Sequence, residues 1–372
     1  MITQVTLPYW RDFPALTQGP AGTDLRLAQP WRQDHEAAVW FSRGAWALAA
    51  VVLWWRIRHK EDNPGLWLPD YFCNGSTAPI RDLGVKPRFY PVGEDLRPRW
   101  DVCREMAAEG PPDLFVLAHY FGQPGDLAGA ADFRRETGAF LIEDAAHVLG
   151  PATGIGTGGD FIFYCPHKNF AVPDGAVLLK RDPEGEDELQ AAATKLGEDY
   201  PGVWPWTLKR IIQKVVPGTA LRRLTSFRHK PGFHDDPPYE SLPWTPRFSP
   251  EARRMMSRVP DLMAGASVQR RINARALAEA LKGWTGCRPF YTEEPAAAPY
   301  RFILKCDDAT TAAARFSALQ ARGCPVESWP DLAPEVKNNP DRHAAAIQLR
   351  QTLLFLPVHQ GLTEDELRAG YG

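Results

Sequence analysis

Residues 161–180 read "FIFYCPHKNFAVPDGAVLLK", in which two short apolar runs stand on either side of a turn. Both runs are apolar at successive positions, which predicts strands that are buried on both faces. Lys168 lies in the turn between them, directly before Asn169. A lysine in such a turn is most often a solvated loop residue, so its role depends on what the rest of the chain places beside it.

Strand-like and helix-like segments alternate upstream of this stretch. Further buried strands are predicted at "LWLPDYF" (66–72), "LFVLAHYF" (114–121) and "AFLIEDAA" (139–146). Helices are predicted at "GAWALAAVVLWWRI" (44–57), "DVCREMAAEG" (101–110) and "DLAGAADFRRETG" (126–138). This order predicts an α/β fold with a mostly parallel sheet and helices on both faces. In sheets of this kind, ligands bind at the carboxyl ends of the strands.

The character of the sequence changes after residue 181. Residues from about 186 to 245 are rich in proline, tryptophan and basic groups, and they predict an insertion or connection. A long helical stretch begins at about residue 250 and leads into a strand, a helix and a final strand. We therefore expect a large domain over 1–245, which includes the insertion, and a smaller C-terminal α/β domain over 246–372.

Composition and charge exclude several classes of protein. The 372 residues are 44% hydrophobic and 24% charged, which is ordinary for a globular protein. A formal net charge of −2 argues against a nucleic-acid partner. The cysteines are scattered, with no Cys-x-x-Cys pair and no Cys/His cluster, which predicts reduced thiols, a cytoplasmic protein and no metal site. No signal peptide is evident, and the longest apolar run, at 45–55, is too short to span a bilayer.

Three features lie where this sheet would bind a ligand. Lys168 follows one predicted strand, Asp144 ends another, and the turn Gly44–Ala45 opens a helix. Each has an ordinary structural explanation, since Asp144 could cap a helix and a glycine before a helix is usually only a turn. Together they suggest a single ligand that presents a different chemical group to each of the three features.

The ligand that fits these three features is pyridoxal phosphate. Free backbone N–H groups at a helix start bind a phosphate. A carboxylate at Asp144 keeps the pyridine nitrogen protonated. The Lys168 amine forms a Schiff base with the aldehyde and later acts as a general base, for which a confined amine with a lowered pKa is suited.

Several blocks of the sequence also resemble one family in its own order. They are "LPDYFCNGSTAPI" (68–80), "VLAHYFGQPGDL" (116–127), "FLIEDAAHVLG" (140–150), "GGDFIFYCPHKN" (158–169) and "LLFLPVHQGLTEDEL" (353–367). The chain resembles the DegT/DnrJ/StrS family of pyridoxal-phosphate-dependent sugar aminotransferases over most of its length. This resemblance implies an aspartate-aminotransferase-like large domain, called fold type I, with a smaller C-terminal domain.

The resemblance also implies roles for individual residues. The catalytic residues would be Lys168 as the Schiff-base lysine and Asp144 as the partner of the pyridine nitrogen. The other cofactor-binding residues would be His147 near the phenolic oxygen, Gly44 and Ala45 at the phosphate, Phe72 and Cys73 against the ring, and Asn169.

Three further residues are candidates for contact with the substrate. His119 follows a predicted strand near the pocket, although a structural histidine is equally compatible with the sequence. Trp329 could pack on a sugar or an acyl group, or could simply pack within the smaller domain. Arg247 lies in a region that in the family reaches across a homodimer into the pocket of the other subunit.

The chain departs from the family pattern at two positions. Phe163 stands where the family commonly has a serine whose hydroxyl binds the phosphate, and Cys73 stands where an aromatic residue is common. The segment 208–230 is basic and amphipathic on both sides of Pro217. It could bind the diphosphate of a nucleotide-linked substrate, contact a membrane surface, or be a solvated face packed on the main domain.

The expected activity is transfer of an amino group, from glutamate, to a ketone on a sugar or a similar small metabolite. The same cofactor could instead direct dehydration, decarboxylation or a change of carbon–carbon bonds. A non-catalytic sensor or scaffold with this fold is a further alternative, which the absence of a hydroxyl at Phe163 motivates. Retention of both Lys168 and Asp144 speaks against it, because neither buried charge helps a fold without the ring.

Overall fold

The computed structural model describes residues 2–19, 22–33, 35–216, 232–233, 242–292 and 297–372. The basic segment 208–230 is described only up to residue 216, and most of that part belongs to a helix, Trp204–Val215. The remainder of the segment, including Pro217, lies outside the described residues.

A seven-stranded sheet forms the centre of the described chain. Its strands are β1 (Ala37–Phe41), β2 (Leu66–Pro69), β3 (Arg88–Tyr90), β4 (Leu114–Ala118), β5 (Phe140–Ala145), β6 (Phe161–Tyr164) and β7 (Ala176–Lys180). They lie in the order β1-β7-β6-β5-β4-β2-β3. Strands β6, β5, β4, β2 and β3 pair in parallel, while β7 is antiparallel to both of its neighbours. The prediction of a mostly parallel sheet is confirmed.

Both faces of this sheet are buried, as the continuous apolar runs predict. In β6, Phe161 and Phe163 belong to one buried cluster, while the alternate residues Ile162 and Tyr164 belong to a second. This alternation is the normal consequence of side chains that point to opposite faces of a strand.

Helices pack around the sheet. In the sequence they lie before, between and after its strands. In the first part they are α1 (Asp24–Ala28), α2 (Gly44–His59), α3 (Ala78–Asp82), α4 (Trp100–Glu109), α5 (Leu127–Thr137), α6 (Pro166–Asn169), α7 (Glu186–Lys195) and α8 (Trp204–Val215). The second part contributes α9 (Pro250–Met256), α10 (Val259–Ala280), α11 (Ala309–Arg322), α12 (Pro334–Lys337), α13 (Ala344–Thr352) and α14 (Glu364–Tyr371). In the described part of the chain, no helix combines the length and the apolar character that a bilayer crossing requires.

The C-terminal part contains a second sheet of three antiparallel strands. They are β8 (Cys287–Pro289), β9 (Arg301–Cys306) and β10 (Leu353–Pro357), in the order β10-β9-β8. Ile303 and Phe355 of this sheet join the same buried cluster as the central strands. The two sheets therefore share part of a core, and the division into domains at residues 245 and 246 stays a prediction.

The structure differs from the sequence-based expectations in several elements. Strands β1, β3 and β8 are short, and the sequence analysis did not predict them. The long helical stretch after residue 250 is two helices, α9 and α10, separated at Ser257 and Arg258. Pro260 lies in the first turn of α10, where its missing N–H costs no hydrogen bond, so the helix can begin there but cannot run through it.

Glu143 of β5 organises the glycine-rich loop that precedes β6. Its carboxylate accepts hydrogen bonds from the backbone N–H groups of Gly156, Gly158 and Gly159 at 2.7, 3.0 and 2.6 Å. Burial opposes ionisation, but the hydrogen bond from His119 and those from the loop outweigh it and lower the pKa of Glu143 to about 2. The loop is therefore held by a buried anion.

We predict that Glu143→Gln lowers the free energy of unfolding by about 2–4 kcal/mol, because an amide cannot accept from all of these donors. The folded-state pKa lies below the ordinary value, so Glu143 stabilises the fold above the unfolded pKa, and this contribution is lost as the pH falls toward 2. Urea denaturation between pH 3 and 7 measures both effects.

The matched control for this prediction is Glu136→Gln, which removes an exposed carboxylate paired with Arg104. We expect a change within about 0.5 kcal/mol for the control. Equal losses in the two variants would contradict the assigned role of Glu143.

Candidate active site

Lys168 lies at the carboxyl end of β6, in the short helix α6. Its backbone N–H donates to the Cys165 carbonyl at 2.9 Å, which fixes the turn after the strand. Burial alone would lower the pKa of the amine, but its interactions with the acidic groups of Cys165, Tyr300 and Asp144 outweigh burial and raise the pKa. The expectation of a lowered lysine pKa is therefore wrong for the protein by itself, because it neglected these neighbours.

Asp144 lies one residue before the end of the neighbouring strand, β5. Its Oδ1 accepts a hydrogen bond from the backbone N–H of Ala146 at 2.9 Å. Residues 146 and 147 form a turn, so the carboxylate caps a turn and not a helix. Burial raises its pKa, although the charge of Lys168 acts in the opposite direction.

Lys168 and Asp144 line the same cavity without forming a direct ion pair. The cavity has a larger part of about 390 Å³ and a smaller part of about 50 Å³. Both parts are lined by a shared set of residues: Phe72, Cys73, Ser76, Asp144, Ala146 and Lys168. We call this space the Lys168 cavity. The predicted ring-packing residues Phe72 and Cys73 thus line the same space as the amine and the carboxylate.

The first turn of α2 borders the larger part of the Lys168 cavity. Gly44 and Ala45 line it, and Arg43 precedes them as the N-cap residue. The side chain of Arg43 does not cap this helix start, and the first turn contains no acidic residue. The backbone N–H groups of this turn are therefore suited to donate hydrogen bonds to an anion.

Gly44 is required here by close approach and not by backbone conformation. A Cβ atom at this position would lie 2.9 Å from Cys165 Sγ and 3.0 Å from Phe163 Cε2. The Phe163 ring thus occupies the space next to the helix start, where the family commonly has a serine. Ser76, which the sequence analysis did not single out, brings a hydroxyl to both parts of the cavity.

His147 lies in a stack of aromatic rings at the smaller part of the cavity. Its ring is nearly parallel to that of Tyr300, with centroids 4.5 Å apart, and to that of Phe121, at 5.6 Å. Its Nδ1 accepts from the Phe121 N–H at 3.4 Å. Burial lowers the pKa of His147 well below its ordinary range, so the ring is neutral at physiological pH.

His119 lines the smaller part of the cavity with both ring nitrogens already engaged. Nδ1 accepts from the Gly125 N–H at 2.9 Å, so Nε2 carries the hydrogen that it donates to Glu143 at 2.8 Å. This arrangement favours the structural role that the sequence left open. Its role toward a substrate stays a prediction.

Trp329 comes from the C-terminal part of the chain and closes the smaller part of the cavity. Its indole stacks on Tyr71, with centroids 4.3 Å apart, and meets Phe121 edge-on at 5.9 Å. Tyr71, Phe121 and Tyr300 were missed by the sequence analysis, because nothing in their local sequence indicates that they meet.

Asn169 and Arg247 do not line the Lys168 cavity of this chain. The Asn169 side chain donates to the Val148 carbonyl at 3.3 Å, away from the cofactor position proposed for it. Arg247 forms an ion pair with Glu198. Its predicted reach concerns a second subunit, so that role stays a prediction.

The residues of the Lys168 cavity fit pyridoxal phosphate. An amine, a carboxylate that is not in direct contact with it, and an uncapped helix start all face one space. Gly44 leaves the helix start without a Cβ atom, and Ser76 supplies a hydroxyl where Phe163 cannot. In the described part of the chain, no group of His, Cys, Asp and Glu side chains is arranged to hold a metal ion.

We predict that Gly44→Ala lowers the free energy of unfolding by about 1–3 kcal/mol, because the added methyl group must displace Cys165 or Phe163. Gly75→Ala is the matched control, since Gly75 lines the same cavity but a Cβ atom there would meet nothing within 4 Å. The control should change stability by less than about 0.5 kcal/mol. Chemical denaturation of both variants measures these changes in stability. A Gly44→Ala variant with an unchanged free energy of unfolding would contradict the close approach.

Comparison with known sequences finds one matching family model and two kinds of relative. Residues 75–196 match the model of the DegT/DnrJ/EryC1/StrS aminotransferase family. A dTDP-4-dehydro-2,3,6-trideoxy-D-glucose 4-aminotransferase of Saccharopolyspora spinosa is 31% identical over 158 residues, which cover 41% of this chain and 40% of that enzyme. A serine hydroxymethyltransferase of Pyrococcus horikoshii is 33% identical over 113 residues, which cover 28% of this chain and 25% of that enzyme. The chain thus spans less than half the length of these relatives.

Solved structures agree with the chain over nearly its whole length. The aminotransferase TlmJ from Streptoalloteichus hindustanus has a TM-score of 0.68 at 22% identity, covering 99% of this chain and 96% of its own. DesI, solved in the presence of its TDP-sugar product, has a TM-score of 0.70 at 19% identity, covering 98% and 89%. The PLP form of Spr1654, a putative sugar aminotransferase from Streptococcus pneumoniae, has a TM-score of 0.70 at 14% identity, covering 99% and 96%.

These structural agreements confirm the aspartate-aminotransferase-like fold, fold type I, that the sequence predicted. The family match covers the strands and turns that carry Asp144 and Lys168. Residues 75–196 are thus similar to the DegT/DnrJ/EryC1/StrS aminotransferase family, and the fold agrees with that of solved aminotransferases over nearly the whole chain.

Proposed function

We propose that this protein is a pyridoxal-phosphate-dependent aminotransferase that moves an amino group from glutamate to a ketone of a sugar or a similar small metabolite. The observation that carries this proposal is the placement of Lys168 and Asp144 in one cavity at the ends of adjacent parallel strands. The family match and the names of the sugar aminotransferase relatives support it.

Pyridoxal phosphate, when bound, supplies an electron sink that stabilises negative charge at the carbon next to the transferred nitrogen. Lys168 would hold the cofactor covalently through Nζ, and after release by the amino donor would carry a proton between two carbon atoms. Because its pKa is raised in the protein alone, the amine must first lose its proton before it can bond to an aldehyde.

Asp144 would hold the proton on the pyridine nitrogen. The hydrogen bond from the Ala146 N–H holds the Asp144 carboxylate in place at the end of β5. A buried carboxylate next to a protonated ring nitrogen forms a charge-assisted hydrogen bond, which strengthens the electron sink.

The remaining residues of the cavity would bind and orient the cofactor and the substrate. The N–H groups of Gly44 and Ala45 would hold the phosphate, together with the Ser76 hydroxyl and the neighbouring cation Arg43. The neutral ring of His147 would face the phenolic oxygen, and Trp329 would pack against the substrate and exclude water.

The acceptor and the assembly are part of the same proposal. The name of the Saccharopolyspora spinosa enzyme refers to a dTDP-linked keto sugar, which supports a nucleotide-linked acceptor for this chain. A homodimer would bring Arg247 of one subunit toward the pocket of the other. The cysteines of the described chain are all free, which is compatible with a protein that works in the cytoplasm.

The cofactor proposal predicts covalent attachment at one lysine. Wild-type protein incubated with pyridoxal phosphate should absorb near the visible edge, and borohydride reduction should fix the cofactor on the peptide that contains Lys168. Lys168→Ala should lose both signals, whereas Lys180→Ala, which removes another buried lysine outside the cavity, should keep them. The rate of attachment should rise with pH, because only the neutral amine reacts. A protein that stays colourless with added cofactor would refute the proposal.

The proposed role of Asp144 predicts that its replacement slows amino transfer but leaves cofactor attachment intact. Asp144→Asn keeps the shape of the side chain but cannot hold a proton on the ring nitrogen, so amino transfer should fall by roughly 100-fold or more. Covalent attachment at Lys168 should persist, as reduction and mass spectrometry would show. Turnover is measured as 2-oxoglutarate formed from glutamate with keto sugars. Wild-type protein that forms no 2-oxoglutarate but alters these sugars would favour dehydration or another reaction of the cofactor.

A further inference from the structure

Arg270 of α10 is a buried cation that the proposed reaction does not use. Its side chain is 1% exposed, and it pairs with no carboxylate in the described part of the chain. Burial lowers its pKa to about 9. Placing a guanidinium group in a protein interior without a counter-ion costs free energy, and the cost must be offset by hydrogen bonds to neutral oxygens.

All the hydrogen bonds of Arg270 go to such oxygens, on three separate segments. Nη2 donates to the Asn169 carbonyl at 3.0 Å, and Nη1 donates to the carbonyls of Pro299 and Tyr300 at 3.1 and 3.3 Å. Nε donates to the side-chain oxygen of Gln360 at 2.9 Å. One planar cation thus fixes the positions of three segments that are far apart in sequence.

The carbonyl of Asn169 receives a second strong donor. The Gln360 amide donates to it at 2.9 Å, while the same side chain accepts from Arg270. Asn169 directly follows Lys168 in α6, so these bonds fix the backbone that carries the reactive amine.

The other targets of Arg270 lie next to His147, which lines the smaller part of the cavity. The ring of Tyr300 stacks on His147, with centroids 4.5 Å apart. Arg270 thus connects the backbone of the lysine turn directly to the backbone of Tyr300, whose ring stacks on His147.

We propose that Arg270 is a positioning residue that sets the reach of Lys168 into its cavity. The inference rests on the proposed function, because it concerns the attack of Lys168 on a cofactor aldehyde. Displacement of a reacting group by about 1 Å can slow a reaction by roughly 100-fold, so loss of these bonds should be visible in the reactivity of the amine.

The matched control for Arg270 is Asn273, one turn further along the same helix. It is fully buried, and its amide donates to the carbonyls of Val358, His359 and Leu362 at 3.3, 3.0 and 3.2 Å. It therefore performs a similar backbone-holding task on α10, but none of its bonds reaches the lysine turn.

The experiment compares wild type, Arg270→Met and Asn273→Ala. The rate constant for borohydride-trapped attachment of pyridoxal phosphate at Lys168 is measured at several pH values, with the melting temperature of each variant. We expect Arg270→Met to attach the cofactor roughly 10- to 100-fold more slowly at equal folded fraction. Asn273→Ala should stay within about twofold of wild type, even if its melting temperature falls as far.

Two results would overturn the inference, and they differ in what they refute. If wild type attaches the cofactor and Arg270→Met attaches it as fast as Asn273→Ala, Arg270 serves stability alone. If wild type itself attaches none at Lys168, the proposed function fails and the inference fails with it. Should Arg270→Met not fold, Arg270→Lys tests the same point, since it keeps a cation at this position but cannot donate to all three segments at once. Slower attachment in Arg270→Lys supports the inference, and a rate equal to that of Asn273→Ala refutes it.

Discussion

The site depends on an amine and a carboxylate that line the same cavity but form no direct ion pair. Lys168 and Asp144 each influence the charge of the other, and each would be costly to bury alone. A direct ion pair would satisfy both groups and leave no reason for the cavity between them. Lys168 directly follows β6 and Asp144 lies near the end of β5, so the proposed ligand would meet one group at each end.

Two adjacent carboxylates in β5 have pKa values that are shifted in opposite directions, because their environments differ. Glu143 and Asp144 follow one another in β5, so their side chains point to opposite faces of the sheet. Glu143 accepts several hydrogen bonds, which lower its pKa to about 2, while Asp144 accepts one, and burial raises its pKa. One group anchors the glycine-rich loop, and the other keeps hydrogen-bonding capacity for a ligand.

Much of the fold could be predicted because its signals are local. Continuous apolar runs indicate buried strands wherever they occur, and Asp144 and Lys168 lie in short stretches that resemble family blocks. Tyr300 and Arg270 could not be found in this way, because each acts through contacts with residues more than 100 positions away. For the same reason, the sequence did not indicate that Cys287 and Cys306 are neighbours. Their sulfur atoms lie 2.9 Å apart across paired strands.

The C-terminal part of the chain decides how closed the cavity is. Trp329 packs on Tyr71, which follows β2. The same interface is held by a buried pair, His343 with Asp70 at 2.9 Å, and by the two-point contact of Arg81 with Glu335. Because a carboxylate and a histidine buried together cost free energy if separated, the interface resists small displacements. The wall of the cavity that Trp329 contributes is therefore held by polar contacts outside the cavity, and the residues inside it remain available for a ligand.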